Sequence, residues 1–303
     1  MERLEALAEE IDWQQGEDGL ALFANEDFGA WYRLPFAVDE RVAVDRTFEV
    51  RDILYTLHRL PRYRVLVFSE QSGRLLEGTG SLLDEVRDAN FPMTWTGARG
   101  AIRGPEGPQM QRSNGWDAHV KEFLTDVARA LGEASRAESL PLVLIAPAHV
   151  LPVFNGVSAH GDDVAVMIDG FHADASVSAI AELAWPRFEE WLHAQRQVAV
   201  DEVAAAEGAN RLAAGTDDAW KAARGGQGHK LVVEEGFRRP AILKRDGWEL
   251  DLVPEEAAVQ DRAHLDDAVD ELIEMTLEKG GAVEFVDEDS LADRGRVALI
   301  LRY

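Results

Sequence analysis

The spacing of hydrophobic positions changes several times along the chain, and each change predicts an element. Met1 to Glu10 carries its apolar residues on one face of an acidic helix. Gly19-Leu-Ala-Leu-Phe-Ala-Asn25 and Gly29-Ala-Trp-Tyr-Arg-Leu-Pro35 then predict two strands joined by a polar turn. Between Glu49 and Arg59 the apolar residues fall at 50, 53, 54 and 57, one face of a helix that Pro61 ends. These first sixty residues hold too little apolar surface for an independent domain.

From Tyr63 the pattern predicts an α/β layer. Tyr63-Arg-Val-Leu-Val-Phe-Ser69 reads as a buried strand and Gly73-Arg-Leu-Leu-Glu-Gly78 as its hairpin partner. A polar stretch rich in Gly, Arg and Gln follows from Thr94 to Gly115, and loops of that length are functional or disordered more often than incidental. Asp117 is placed to cap a helix running to about Ser135, with apolar residues at 120, 123, 124, 127, 128 and 131. Strands over Leu142 to Ala146 and Asp163 to Ile168 alternate with helical stretches. A helical run from Ser176 to Gly208, interrupted at Pro186, connects to a last domain. That domain predicts helix Thr216 to Arg224, strands Lys230 to Glu235 and Trp248 to Val253, helix Ala263 to Lys279, and strands Ala282 to Asp287 and Arg296 to Tyr303. No repeat or low-complexity segment is visible.

Composition narrows the chemistry. With 303 residues, 46% of them hydrophobic and eight Trp among them, the chain can bury more than one core. No apolar run approaches the length of a membrane span and the start lacks a basic n-region, so the expected location is the cytoplasm, without membrane contact. Cysteine is absent and the eight His are scattered, which gives neither metal site nor cofactor a visible basis. A net charge of −25 argues against coating DNA or RNA non-specifically, because that affinity comes from basic residues neutralising phosphates. Any RNA contact must be local. Asp266-Asp267 and Asp287-Glu288-Asp289 read as solvated surface, and Trp185, Trp191 and Trp220, at helical positions, as core.

Several phrases in this order resemble a known superfamily. Gly19-Leu-Ala-Leu-Phe-Ala24, Tyr32-Arg-Leu-Pro35, Val44-Asp-Arg-Thr-Phe-Glu-Val-Arg51 and Arg62-Tyr-Arg-Val-Leu-Val67 resemble the bacterial branch of the archaeo-eukaryotic class I peptide release factor and Pelota superfamily. Gly215-Thr-Asp-Asp-Ala-Trp-Lys-Ala-Ala-Arg-Gly225, strand Lys230-Leu-Val-Val233 and the ending Val297-Ala-Leu-Ile-Leu-Arg-Tyr303 extend the resemblance to the C-terminus. It implies an α/β protein with a short N-terminal segment (1–60), an RNase-H-like middle domain (61–199) and a C-terminal α/β/α domain like kink-turn-binding ribosomal proteins (200–303). Relatives carry more sequence ahead of this point, so the N-terminal segment looks short.

The resemblance also implies where function would lie. Release factors hydrolyse peptidyl-tRNA with a Gly-Gly-Gln tripeptide in a mobile middle-domain loop, whose Gln amide can donate to the developing oxyanion. This chain has Gly225-Gly226-Gln227, but in the C-terminal domain after a helix, where one of the glycines reads as the left-handed residue closing that helix. The equivalent of the catalytic loop is Thr94 to Gly115, and its nearest match is Gly107-Pro108-Gln109, where proline cannot take the angles of a second glycine. Gln109 is thus the candidate catalytic residue, with Gly107 and Pro108 beside it, though an RNA-binding role suits the loop better than catalysis. Arg99, Arg103 and Arg112 make it basic against Glu106, and the alternative is a solvated surface loop. In the C-terminal domain Lys221 and Arg224 are further RNA-contact candidates, while Asp217 stands where kink-turn binders use Asn and would repel phosphate.

The resemblance therefore implies a ribosome-associated factor acting at the tRNA site in rescue or hibernation. Its partners would be rRNA, tRNA and a translational GTPase. Stop-codon reading is not expected, since the N-terminal segment is short and has no Cys. The alternatives are a hydrolase of peptidyl-tRNA or another RNA ester, and a non-ribosomal stress or scaffold protein.

Overall fold

In the computed structural model the chain is described at residues 2–11, 19–34, 38, 40, 42, 48, 50–95, 112–136, 138–244, 247–253 and 264–303, with positions 2, 112–117 and 264 described by backbone alone. The start forms helix α1 (Glu2–Glu10) and the hairpin β1 (Gly19–Ala24) and β2 (Gly29–Leu34). The hairpin turn is set by Asn25, whose side-chain oxygen accepts from the backbone N–H groups of Asp27 at 2.9 Å and Phe28 at 2.7 Å. Helix α2 (Arg51–Arg59) follows.

Residues 60–193 form one compact unit, and 1–59 with 194–303 form the other. In the first, β3 (Tyr63–Phe68), β4 (Ser72–Thr79), β5 (Leu82–Glu85) and β6 (Met93–Thr94) precede helix α3 (Arg112–Ser135). After it come β7 (Leu142–Ala146), α4 (Leu151–Asn155), β8 (Val164–Asp169) and the opening of α5 (Val177–Gly208). The sheet order is β5-β4-β3-β7-β8, with β6 beside β4. Strands β3, β7 and β8 are parallel, and β4 and β5 are antiparallel. Every residue of β3 and β7 is buried, as expected of strands covered on both faces. One face packs α3 and α4 through Phe123, Leu124, Val127, Leu131 and Phe154. The other packs α5 through Ile180, Ala184 and Phe188. Trp185 and Trp191 are half-buried beside Phe188, which stacks on Tyr63 with ring centroids 4.3 Å apart. Arg64, the one charge inside β3, is satisfied by Glu77 at 2.6 Å and by the carbonyls of Ala134 and Glu138, so it also closes the end of α3.

The second unit continues from α5 with β9 (Leu212–Ala214), α6 (Thr216–Arg224), β10 (Gly228–Glu234), β11 (Ala241–Leu243), β12 (Leu250–Leu252), β13 (His264–Leu265), α7 (Ala268–Glu278), β14 (Ala282–Val286) and β15 (Val297–Leu301). Its main sheet runs β14-β10-β15-β9, and β12-β11-β13 form a small second sheet. Helices α6 and α7 pack one face through Trp220, Leu272 and Ile273, joined there by Leu54 and Tyr55 of α2. The later part of α5 packs the other through Ala199, Val203 and Ala206. The whole is a mixed α/β protein.

Four sequence expectations are corrected. Helix α3 starts at Arg112 rather than at Asp117, so the weak helix formers Ser113, Asn114 and Gly115 lie in its first turn and the stretch read as loop ends earlier. Helix α5 runs unbroken through Pro186; Pro186 and Glu182, whose carbonyl the proline leaves unpaired, are both exposed, so water can satisfy it. Helix α7 begins at Ala268, because Asp267 caps it by accepting from Val269 N–H at 3.0 Å while His264–Leu265 pairs with β11. Asp267 is therefore not solvated surface: it is buried and ion-paired with buried Arg51 at 2.6 Å. Among the described residues no helix is long and apolar enough to cross a membrane, and no group of His, Asp or Glu is arranged to hold a metal ion.

Candidate functional site

The stretch that carries the basic and Gly-Pro-Gln candidates has described anchors at both ends. Strand β6 pairs with the start of β4, Thr94 opposite Ser72 and Met93 opposite Gly73, and Trp95 N–H donates to the Gln71 carbonyl at 2.7 Å. The chain thus leaves the sheet beside the β3–β4 turn. The Trp95 ring lies against His119, 5.6 Å between centroids, and Phe123, 6.2 Å, both on α3. His119 is seven residues from the start of α3, about 10 Å along a helix rising 1.5 Å per residue. The chain therefore leaves and re-enters at one end of this unit, the end where β3 finishes. Arg99, Arg103, Gly107, Pro108 and Gln109 lie outside the described residues, and Arg112 is placed by its backbone as the first residue of α3.

The same end holds a pair that the sequence did not single out. Past the carboxyl ends of β3 and β7, His149 Nε2 and Glu70 Oε1 stand 2.6 Å apart, with His149 half-exposed. Just beyond, Asp169 at the end of β8 accepts from Ala148 N–H at 2.7 Å. The carboxyl ends of parallel strands are where open α/β sheets place ligands, so the signal was available: polar residues just past each apolar run. A His–carboxylate pair can pass a proton or bind a polar ligand.

In the other unit, α6 presents Lys221 and Arg224. Lys221 Nζ donates to Asp217 Oδ2 at 2.6 Å, and this hydrogen bond holds its ammonium pKa above the usual lysine value. Asp217 thus neutralises a candidate RNA contact besides repelling phosphate. The Arg224 guanidinium passes over Gly247, whose φ of +73° is a conformation that favours glycine. These two residues and the basic stretch belong to different units.

Gly225-Gly226-Gln227 closes α6. Gly226 has φ +71°, its N–H donates to the Ala223 carbonyl at 2.9 Å, and Gln227 N–H donates to the Ala222 carbonyl at 3.0 Å. That pattern is a Schellman cap, with Gly226 as its left-handed residue. Lys279 Nζ caps the same helix end on the carbonyls of Ala223 and Arg224, and Arg302 N–H donates to the Gln227 carbonyl at 3.0 Å. The amide that release chemistry would need is already engaged. Replacing Gln227 by Ala should leave stability and ribosome association unchanged, whereas Gly226→Ala should cost about 1 kcal/mol in urea unfolding, the penalty of a side chain at positive φ. Equal effects at Gly225 and Gly226 would contradict the cap, since Gly225 has φ −69°.

The model of bacterial archaeo-eukaryotic release factor family 3 matches residues 62–227, more than half of the chain and the whole span from β3 to the α6 cap. The chain belongs to this family. No curated protein matches it in sequence. Among solved structures, this family 3 chain is similar to Dom34 of S. cerevisiae, a translation termination-like factor, with 11% identity, TM-score 0.46 and coverage of 80% of this chain and 63% of that one. It is similar to an archaeal Pelota in a ribosome-bound model with ABCE1, at 12% identity and TM-score 0.49, covering 94% and 77%. The C-terminal domain of a Methanosarcina mazei peptide chain release factor gives 16% identity and TM-score 0.33 over 44% of this chain and 98% of that domain. The family 3 chain thus spans less than two thirds of the yeast protein.

Proposed function

We propose that this chain is a cytoplasmic, ribosome-associated translation factor that enters the tRNA site of stalled or idle ribosomes, in rescue or hibernation, without reading stop codons. The observation that carries the reading is membership of a release-factor family over a span that includes the basic stretch 94–115. On a chain of net charge −25, Arg99, Arg103 and Arg112 concentrate positive charge in the stretch that, by resemblance, corresponds to the catalytic loop of class I release factors. Their contacts are rRNA and tRNA phosphates. Arg224, beside Gly247, is a second contact, and a translational GTPase is the partner that would deliver the factor. The role is binding rather than hydrolysis: Gly107-Pro108-Gln109 lacks a second glycine, and the Gln227 amide is held inside a helix cap.

Sedimentation of lysates from growing and starved cells checks the reading. The protein is expected in ribosomal fractions in at least one condition, and absence from them in both would contradict it.

A further inference from the structure

The sheet of the 60–193 unit ends on one side at β8, which among the described residues pairs only with β7. Exposed strand edges template pairing with other chains, and proteins blunt them with charge, proline or shortness. The opposite edge, β5, is blunted: it is four residues long and carries Asp84 and Glu85. In the other unit β9 is three residues long, and Glu284 interrupts β14. Strand β8 carries a charge only at its last residue, Asp169, and a register shift only near its start, which leaves its centre unguarded. Val164-Ala-Val-Met-Ile168 is five apolar residues without Lys or Pro, Met167 is 48% exposed, and Phe171, just past the strand, is 67% exposed. Acidic residues stand at both ends, Asp162 and Asp163 before the strand, Asp169 as its last residue and Asp174 beyond it.

We infer that the open edge of β8 takes an extended segment of another polypeptide as an added strand, a segment with an apolar centre and basic residues at both ends. Backbone hydrogen bonds along β8 supply affinity, Met167 and Phe171 supply apolar contact, and the flanking aspartates select basic ends. Charge decides against a second copy of this chain as the occupant. A two-fold pairing of β8 with itself is antiparallel, and would set Asp162 and Asp163 of one copy against Asp169 and Asp174 of the other.

The test uses the full chain and a fluorescent synthetic peptide of alternating Val and Thr flanked by two Lys at each end. The comparison peptides are the same sequence with a central Pro and the same centre flanked by Glu. Saturable anisotropy binding is expected for the Lys-flanked peptide alone. Met167→Lys, which places a guard on the edge at an exposed position, should weaken it at least about tenfold, while Leu82→Lys at the opposite edge leaves it unchanged. Three results would overturn the proposal. The Lys-flanked peptide could fail to bind at about 1 mM. The proline peptide could bind equally, which would mean attraction by net charge alone. Sedimentation could show dimers that Met167→Lys dissociates, which would give the edge to self-association. None of these bears on ribosome association, which is read separately.

Discussion

Replacing Arg99, Arg103 and Arg112 together by Ala is expected to weaken ribosome binding markedly and to reduce the slope of log affinity against log salt by about two to three, slightly less than one for each phosphate that is no longer neutralised. The chain has 56 acidic against 31 basic residues, so its overall field repels RNA and binding depends on the few places where that field reverses. The fold should be unaffected: Ala is a better helix former than Arg at the start of α3. Binding equal to the parent at every salt concentration would remove the stretch 94–115 from the RNA-binding surface.

Asp267→Ala should be the most damaging single change to stability, at about 3–5 kcal/mol in urea unfolding, because it leaves a buried charge without its partner. One Asp267 carboxylate serves Arg51 at 2.6 Å and the N–H groups of Arg239 and Val269, each at 3.0 Å. One Arg51 terminal nitrogen already lacks a hydrogen-bond partner, and the neighbouring buried carboxylate, Asp270, accepts from the Arg51 backbone N–H at 3.1 Å rather than from its guanidinium. Asp267→Asn, which keeps an acceptor for the cap and removes the charge, should cost less. The loss should appear as a shifted midpoint of the unit formed by 1–59 and 194–303, to which both partners belong. Costs below about 1 kcal/mol for both variants, the size of a cap alone, would mean the pair does not tie α2 to α7.

That ion pair also marks what the sequence could and could not reveal. Asp267 reads as surface because it belongs to the acidic pair Asp266-Asp267, and its partner is 216 residues away. The partners of the Glu70–His149 pair are 79 residues apart, so their pairing was not legible, although each one's place just past an apolar run was. Local patterns were legible where one element decides its own pattern. Strands β3 and β7 announce themselves as unbroken apolar runs, and α6 is bounded by Gly215 and Gly225 around an amphipathic stretch. Strands β9 and β11, three residues each, are too short to show a period, and pairing rather than propensity makes them strands. Pro186 argued for a break in α5 that solvent exposure makes unnecessary. The candidate site itself was legible only through the family resemblance: composition marks 94–115 as polar and basic, and the structure adds the Trp95 anchor on α3 that sets both of its ends at one end of the unit.

Electron cryo-microscopy of ribosomes incubated with the purified chain tests the proposed role most directly. The expected result is density for the 60–193 unit in the tRNA site, with 94–115 against ribosomal RNA or tRNA. Bound particles in which that stretch faces solvent, or ribosomes with no bound protein under conditions of growth and starvation alike, would contradict it.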